Sequence, residues 1–335
     1  MKVHATFLLA SAALAVLASA VPAPTAEPPT QPIKRWTRAE FDAVMTRISN
    51  WGRWGQDDQL GALNLITPEK RRQAAALVRE GVTVSLAHLA IKEPVDDSPA
   101  FVHRMVELPK RDAEISSSAD EYSVQYHGFT QTHLDGLCHL VYRGKMYNGF
   151  TQDEVTSRGA RKLGVQAFRN GILTRCVLMD IPRLHGVRYL EGGRPIYPED
   201  LEAWERQAGV KVERGDAVLI RTGRWARRQQ EGPWDIMKGS AGLHAACLPW
   251  LKERDVAVVG SDLALDVLPS GVDGVVLPVH WGVVVAMGVP ILDNCDPEAV
   301  AEAAASRRRW SFLLTVAPLA VEGGTGSPVN PLATF

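Results

Sequence analysis

Neither sign of charge is in surplus in this 335-residue chain, in which Lys and Arg number 37 against 38 Asp and Glu. Such a molecule presents no overall field to a polyanion, so composition gives nucleic-acid binding no support. The short run Arg307, Arg308, Arg309 reads as a solvated helix end. Cysteine is scarce, and four residues are too few for a disulfide-dense scaffold of this length. They could pair in three ways in an oxidising compartment, but Cys138, Cys176, Cys247 and Cys295 each sit in a setting that reads as a small buried hydrophobe. Beyond the first twenty residues no apolar run is long enough to span a bilayer. No internal repeat is evident. The glycine-rich GGTGSPVNP from Gly323 lacks the lysine and the following helix of a phosphate-binding loop, so a pocket-edge or subunit-contact loop is expected there.

What is present begins with Lys2, an apolar run over residues 5–20 and the small-residue pattern Ala18-Ser19-Ala20. This is the outline of a secretory signal peptide at residues 1–20, with an uncleaved anchor as the alternative. A Pro-rich spacer follows at residues 21–35, and residues 36–335 are long enough for one large domain. The expected protein is exported and free of the membrane after cleavage.

Local patterns give a mixed α/β chain. Thr37 and Glu40 form a capping box at a helix start, with Trp36 placed to pack on Phe41. A second helix opens at Thr67-Pro68 and is expected to end near Gly81. Apolar strand candidates lie at residues 175–180, 217–222, 256–260, 290–292 and 310–316, with helical stretches at 198–207, 241–254 and from Asp296 onward. Between the first two helices, WGRWGQDDQLG suits either a binding loop, in which Trp51 and Trp54 line a small-molecule pocket, or a structural loop packed by those tryptophans.

The densest chemistry lies in QYHGFTQTHLDGLCHLVYRGKMYN, residues 125–148, with three histidines and an aspartate within thirteen positions. In an extended segment alternate side chains share a face, so His127, His133, Asp135 and His139 could all point one way. Imidazole and carboxylate suit zinc, manganese or iron(II), and a site short of ligands leaves room for water. A histidine beside that water is a natural proton carrier. His4, His88, His103, His185 and His244 read as ordinary surface or core residues.

At these positions the chain resembles the cyclase family of metal-dependent hydrolases, which includes kynurenine formamidase and isatin hydrolase, and it is identified as a member of a longer branch. The family motif is H-x-G-T-H-x-D-x-x-x-H. Thr132, His133, Asp135 and His139 fall on its T, second H, D and last H, while Phe129 stands at the first H and Gln131 at the G. The likeness continues in WGRWGQDDQLGALNLITPE, GSDLALDV from Gly260, and GGTGSPVNP. It implies a swivelling β/β/α domain with a partly barrel-like mixed sheet flanked by helices, and a homodimer. It also implies a second ligand group, for which His280 and Asp293 in PVHWGVVVAMGVPILDN are the counterparts.

The expected cofactor is one or two divalent ions, zinc or manganese, held by His133, Asp135, His280 and either His127 or Asp293. Such ions would acidify a bound water, with His139 as general acid and base. Phe129, Trp51 and Trp54 are candidate substrate contacts. The resemblance implies hydrolysis of a small cyclic amide or N-formyl amide, with a lactone hydrolase as the alternative within the family. A secreted small-molecule-binding protein with a degenerate metal site is the alternative outside enzymes.

Overall fold

The computed structural model describes residues 32–94 and 100–335. The expected signal peptide and the spacer up to residue 31 lie outside the described residues. Nine strands form the main sheet: β1 Thr83–Ser85, β2 His133–Asp135, β3 Ile172–Asp180, β4 Ala217–Arg221, β5 Val258–Ser261, β6 Ile291–Asp293, β7 Ser311–Val316, β8 Gly326–Pro328 and β9 Leu332–Thr334. Their order is β1-β9-β7-β3-β4-β5-β6-β2-β8. The sheet curls into part of a barrel with helices around it, as the family fold requires.

Burial follows from position in the sheet. The centre, β3 to β6, is parallel, and a parallel strand covered on both faces needs a continuous apolar run. Accordingly β4, AVLIR, is buried at every position. Antiparallel β7, SFLLTV, instead alternates between buried and half-buried residues. Helices supply the covering layers: α1 Arg38–Arg47, α2 Pro68–Ala75, α3 Pro198–Ala208, α4 Cys247–Glu253, α5 Pro278–Trp281, continued by a wide turn over Gly282–Ala286, and α6 Glu298–Arg307. The Thr37–Glu40 capping box is present at α1. In α3, Leu201 and Trp204 face inward, and the Trp204 indole donates to the Leu178 carbonyl of β3.

Three expectations are corrected. The second helix stops at Ala75 rather than near Gly81. The chain turns there through Leu77 and Val78, so that the Glu80 and Gly81 N–H groups reach the carbonyl of Phe335. The expected helix at residues 241–254 begins only at Cys247. Gly242 and Leu243 instead pair with Pro195 and Ile196, and a Cβ on Gly242 would lie 2.5 Å from the Asp266 carbonyl oxygen, an approach no larger residue permits. The triple-arginine run is not simply solvated, because Arg307 pairs with Glu80 at 2.9 Å and Arg309 lies over the Phe335 ring.

The four cysteines are free and buried, as their sequence settings imply. Among the described residues no helix is long and apolar enough to cross a membrane. At one margin of the sheet β2 runs between β6 and β8, antiparallel to both. That placement builds the site.

Candidate metal centre

His133 and Asp135 lie two positions apart on β2 and therefore share a face. Register puts Asp293 of β6 directly opposite His133, and directly opposed residues of an antiparallel pair also share a face. His133 Nε2 is 3.4 Å from Asp135 Oδ1 and 3.9 Å from Asp293 Oδ2. Its other nitrogen, Nδ1, is 2.8 Å from the Gln131 carbonyl oxygen, which can only accept, so Nδ1 carries the hydrogen and donates it. The Nε2 lone pair is thereby turned toward the carboxylates.

His127 and His139 reach the same carboxylate from outside the strand. Alternation on one strand accounts only for His133 and Asp135, since β2 is three residues long. A turn in which the His139 N–H donates to the Gly136 carbonyl brings His139 Nε2 to 4.0 Å from Asp135 Oδ2. His127 Nδ1 approaches Asp135 Oδ1 at 3.0 Å, and its ring stacks on that of His139. Both imidazoles are about a quarter exposed (27% and 26%), whereas His133 and Asp135 are buried, so the cluster opens toward solvent on the His127–His139 side.

His280 stands behind Asp293. Its Nε2 is 3.0 Å from Asp293 Oδ2 and its Nδ1 2.9 Å from Asp266 Oδ2. Asp266 also accepts the backbone N–H groups of Val279 and His280, fixing the first turn of α5. Asp266 was not singled out from sequence, although it is the last aspartate of the GSDLALDV segment. Thr325 was missed too, and it lies in the GGTGSPVNP loop, 2.9 Å from His127 Nε2.

The charges explain each other. Burial drives the Asp135 carboxyl up, but His139, His127 and His133 outweigh it and hold Asp135 well below the usual carboxylate range. Burial likewise opposes charge on His133 and His280, yet the flanking carboxylates lift both above the ordinary imidazole value. For His139 burial wins over Asp135 and pushes the imidazole down to about 4. Both oxygens of Asp135, Oδ1 of Asp293 and Nδ1 of His127 are nevertheless buried without a hydrogen-bond partner. Buried carboxylate oxygens left bare are costly, and a cation satisfies them. Two triplets bring ligand atoms within 4.8 Å of one another, His127–Asp135–His139 and His133–Asp135–Asp293. They share Asp135, and His280 belongs to neither.

The three aromatic candidates make no hydrogen bond or ring contact with these residues. The Trp51 indole donates to the Val285 carbonyl and lines a cavity of about 340 Å³ with Tyr142, Arg143 and Lys145. Trp54 carries the Arg53 guanidinium on its face. Their loop is anchored by Asn148, whose side chain donates to the carbonyls of Gly55, Gln56 and Asp58 and accepts the Gly52 N–H, so a structural role for the loop is evident. Phe129 packs on a small apolar cluster with Leu263, Ala264 and Leu268.

Residues 82–266 match the family model for cyclases, a span that takes in the four motif residues and stops before His280 and Asp293. A crystal structure described as that of a novel cyclase is 31% identical, with a TM-score of 0.77 over 86% of this chain and 99% of that one. Isatin hydrolase A from Labrenzia aggregata, bound to benzyl benzoate, gives a TM-score of 0.52 at 19% identity, over 78% of this chain and 94% of its own. The Ralstonia solanacearum isatin hydrolase A gives 0.51 at 19%, over 78% and 93%. No curated protein sequence matches. With more than half its length inside the family model and its histidine–aspartate motif assembled at one margin of the family's sheet, the chain belongs to the cyclase family.

Proposed function

We propose that this protein is a metal-dependent hydrolase of a small cyclic amide or N-formyl amide, exported and acting as a homodimer. The observation that carries the metal is Asp135, a buried carboxylate ringed by His127, His133 and His139 with neither oxygen hydrogen-bonded. His133, Asp135 and Asp293 would hold an ion, and His127, on the open side of Asp135, would add an imidazole ligand there. A divalent ion there, zinc or manganese, lowers the pKa of water and polarises a carbonyl.

The chain's own residues do the rest. Burial keeps the His139 imidazole neutral, and it lies on the open side of the cluster. It takes the proton of the attacking water at Nε2 and returns it to the leaving nitrogen, and Asp135 stabilises the imidazolium in between. His280, braced between Asp266 and Asp293, holds the Asp293 carboxylate in place. A C–N substrate is favoured because the fold is shared with proteins named isatin hydrolases, and isatin is a cyclic amide. Small lactones are tested alongside.

The test is metal content by plasma mass spectrometry on protein purified without chelator, beside His133→Ala, followed by assays on cyclic amides, formamides and lactones. Near-stoichiometric metal that is lost in the variant, with turnover of an amide, is the expected result. Protein that stays metal-free after addition of zinc or manganese would instead be a binding protein on the same fold.

A further inference from the structure

Thr325 ties together the two ends of the histidine motif. Its backbone carbonyl accepts the N–H of Gly136, the neighbour of Asp135, at 2.8 Å, and its Oγ1 lies 2.9 Å from His127 Nε2. The next residue passes close to the same ring: a Cβ on Gly326 would sit 3.0 Å from His127 Cε1 and 2.6 Å from the Leu134 carbonyl oxygen. The Tyr126 hydroxyl donates to the Gly326 carbonyl at 2.9 Å. Tyr126 and His127 are thus pinned to residues 325–326, and the His127 ring has little freedom to turn.

The far nitrogen of that ring is the informative one. His127 Nδ1 is buried and 3.0 Å from Asp135 Oδ1, yet it makes no hydrogen bond. A hydrogen on Nδ1 would be misaligned with the carboxylate, while a lone pair there faces another acceptor, an arrangement that is stable only with a cation between them.

We propose that Thr325 is a positioning residue whose Oγ1 accepts the Nε2–H of His127, fixing the tautomer that turns the Nδ1 lone pair toward Asp135. His127 then supplies the imidazole that Phe129 cannot supply at the first histidine position of the motif. Gly128, with φ at +147°, lets the backbone make the detour that a two-residue displacement requires. The inference rests on the metal-site reading above, but the state of the ring can be read without metal. A partner that sets the tautomer of a metal-binding histidine commonly changes affinity about 10- to 100-fold when removed.

The experiment uses metal-free protein labelled with 15N-histidine, in which long-range 1H–15N spectra report which ring nitrogen carries the proton. Wild type, Thr325→Val and Thr325→Ser are compared, with the His133 signals as a check on the fold. Zinc affinity is measured separately by competition with a chromophoric chelator. Expected are an Nε2-protonated His127 in wild type and in Thr325→Ser, a tautomer mixture in Thr325→Val, and zinc affinity about 10- to 100-fold weaker in that variant alone. A proton on Nδ1 in wild type, or an unchanged spectrum in Thr325→Val, overturns the assignment. Wild type that shows the Nε2 proton but binds neither zinc nor manganese leaves the Thr325 assignment standing and removes the metal-dependent function.

Discussion

The imidazoles of His127 and His139 lie face to face, 3.7 Å between centroids and 2° from parallel, with Asp135 at the edge of both. Two stacked rings at that distance cannot both be charged without strong repulsion. Burial and the neighbouring histidines therefore keep His139 neutral, whereas His133 and His280, each beside a carboxylate, hold protons more tightly than usual. One cluster thus contains imidazoles tuned in opposite directions by burial and by neighbouring carboxylates.

Replacing His139 by Ala is expected to lower turnover about 10²- to 10⁴-fold, the range for a lost general acid–base group. Plasma mass spectrometry should find metal content near that of wild type. Loss of metal together with turnover would make His139 a ligand in the His127–Asp135–His139 triplet instead.

In the metal-free protein the C2 proton of His139 should titrate with a midpoint of about 4, far below its ordinary value near 6.5. The unfolded chain takes up this proton first, so the contribution of His139 is fully present above its ordinary value and is lost as pH falls toward about 4. His133 and His280 act oppositely, stabilising below their ordinary value and losing that contribution as pH rises through their raised values. An NMR titration of the three rings checks this, and a His139 midpoint near 6.5 would contradict it.

Asp266→Ala should destabilise the metal-free protein by about 3–5 kcal/mol, as expected when a buried ion pair loses one partner. The variant leaves His280 Nδ1 and the N–H groups of Val279 and His280 without their acceptor. Urea unfolding measures the change, and a loss below about 1 kcal/mol, that of one ordinary hydrogen bond, would mean that other groups hold α5 in place.

All four thiols should be inert to a thiol reagent in the native protein and all four should react in denaturant, because each is buried and free. Burial raises the thiol of Cys138, beside the cluster, to about 11, which leaves little thiolate at neutral pH. Fewer than four reactive thiols after unfolding without reductant would reveal a disulfide.

Much of the site was legible because its chemistry is concentrated in a short segment. His133, Asp135 and His139 sit at motif spacing, and the family resemblance extended the reading to His280 and Asp293. Asp266 and Thr325 were not legible, since each acts through a contact that only the sheet creates. The central strands could be read from apolar runs such as AVLIR, whereas β8 carries almost no local signal, as GSP becomes a strand only by lying beside β2. The stretch from Ala241 misled for the same reason, because its departure from helix is imposed by the close passage of Gly242 beneath Asp266.

Strand β2 is paired with β6 and β8, and both lie far downstream of it in the sequence. A growing polypeptide that has produced His133 and Asp135 still lacks everything that gives them a fixed direction, until residues 291–293 and 326–328 have been synthesised. The centre is therefore assembled only after both of these downstream strands exist. Truncations that spare every residue of the histidine motif but remove the final strands should yield a chain that carries the motif without a site.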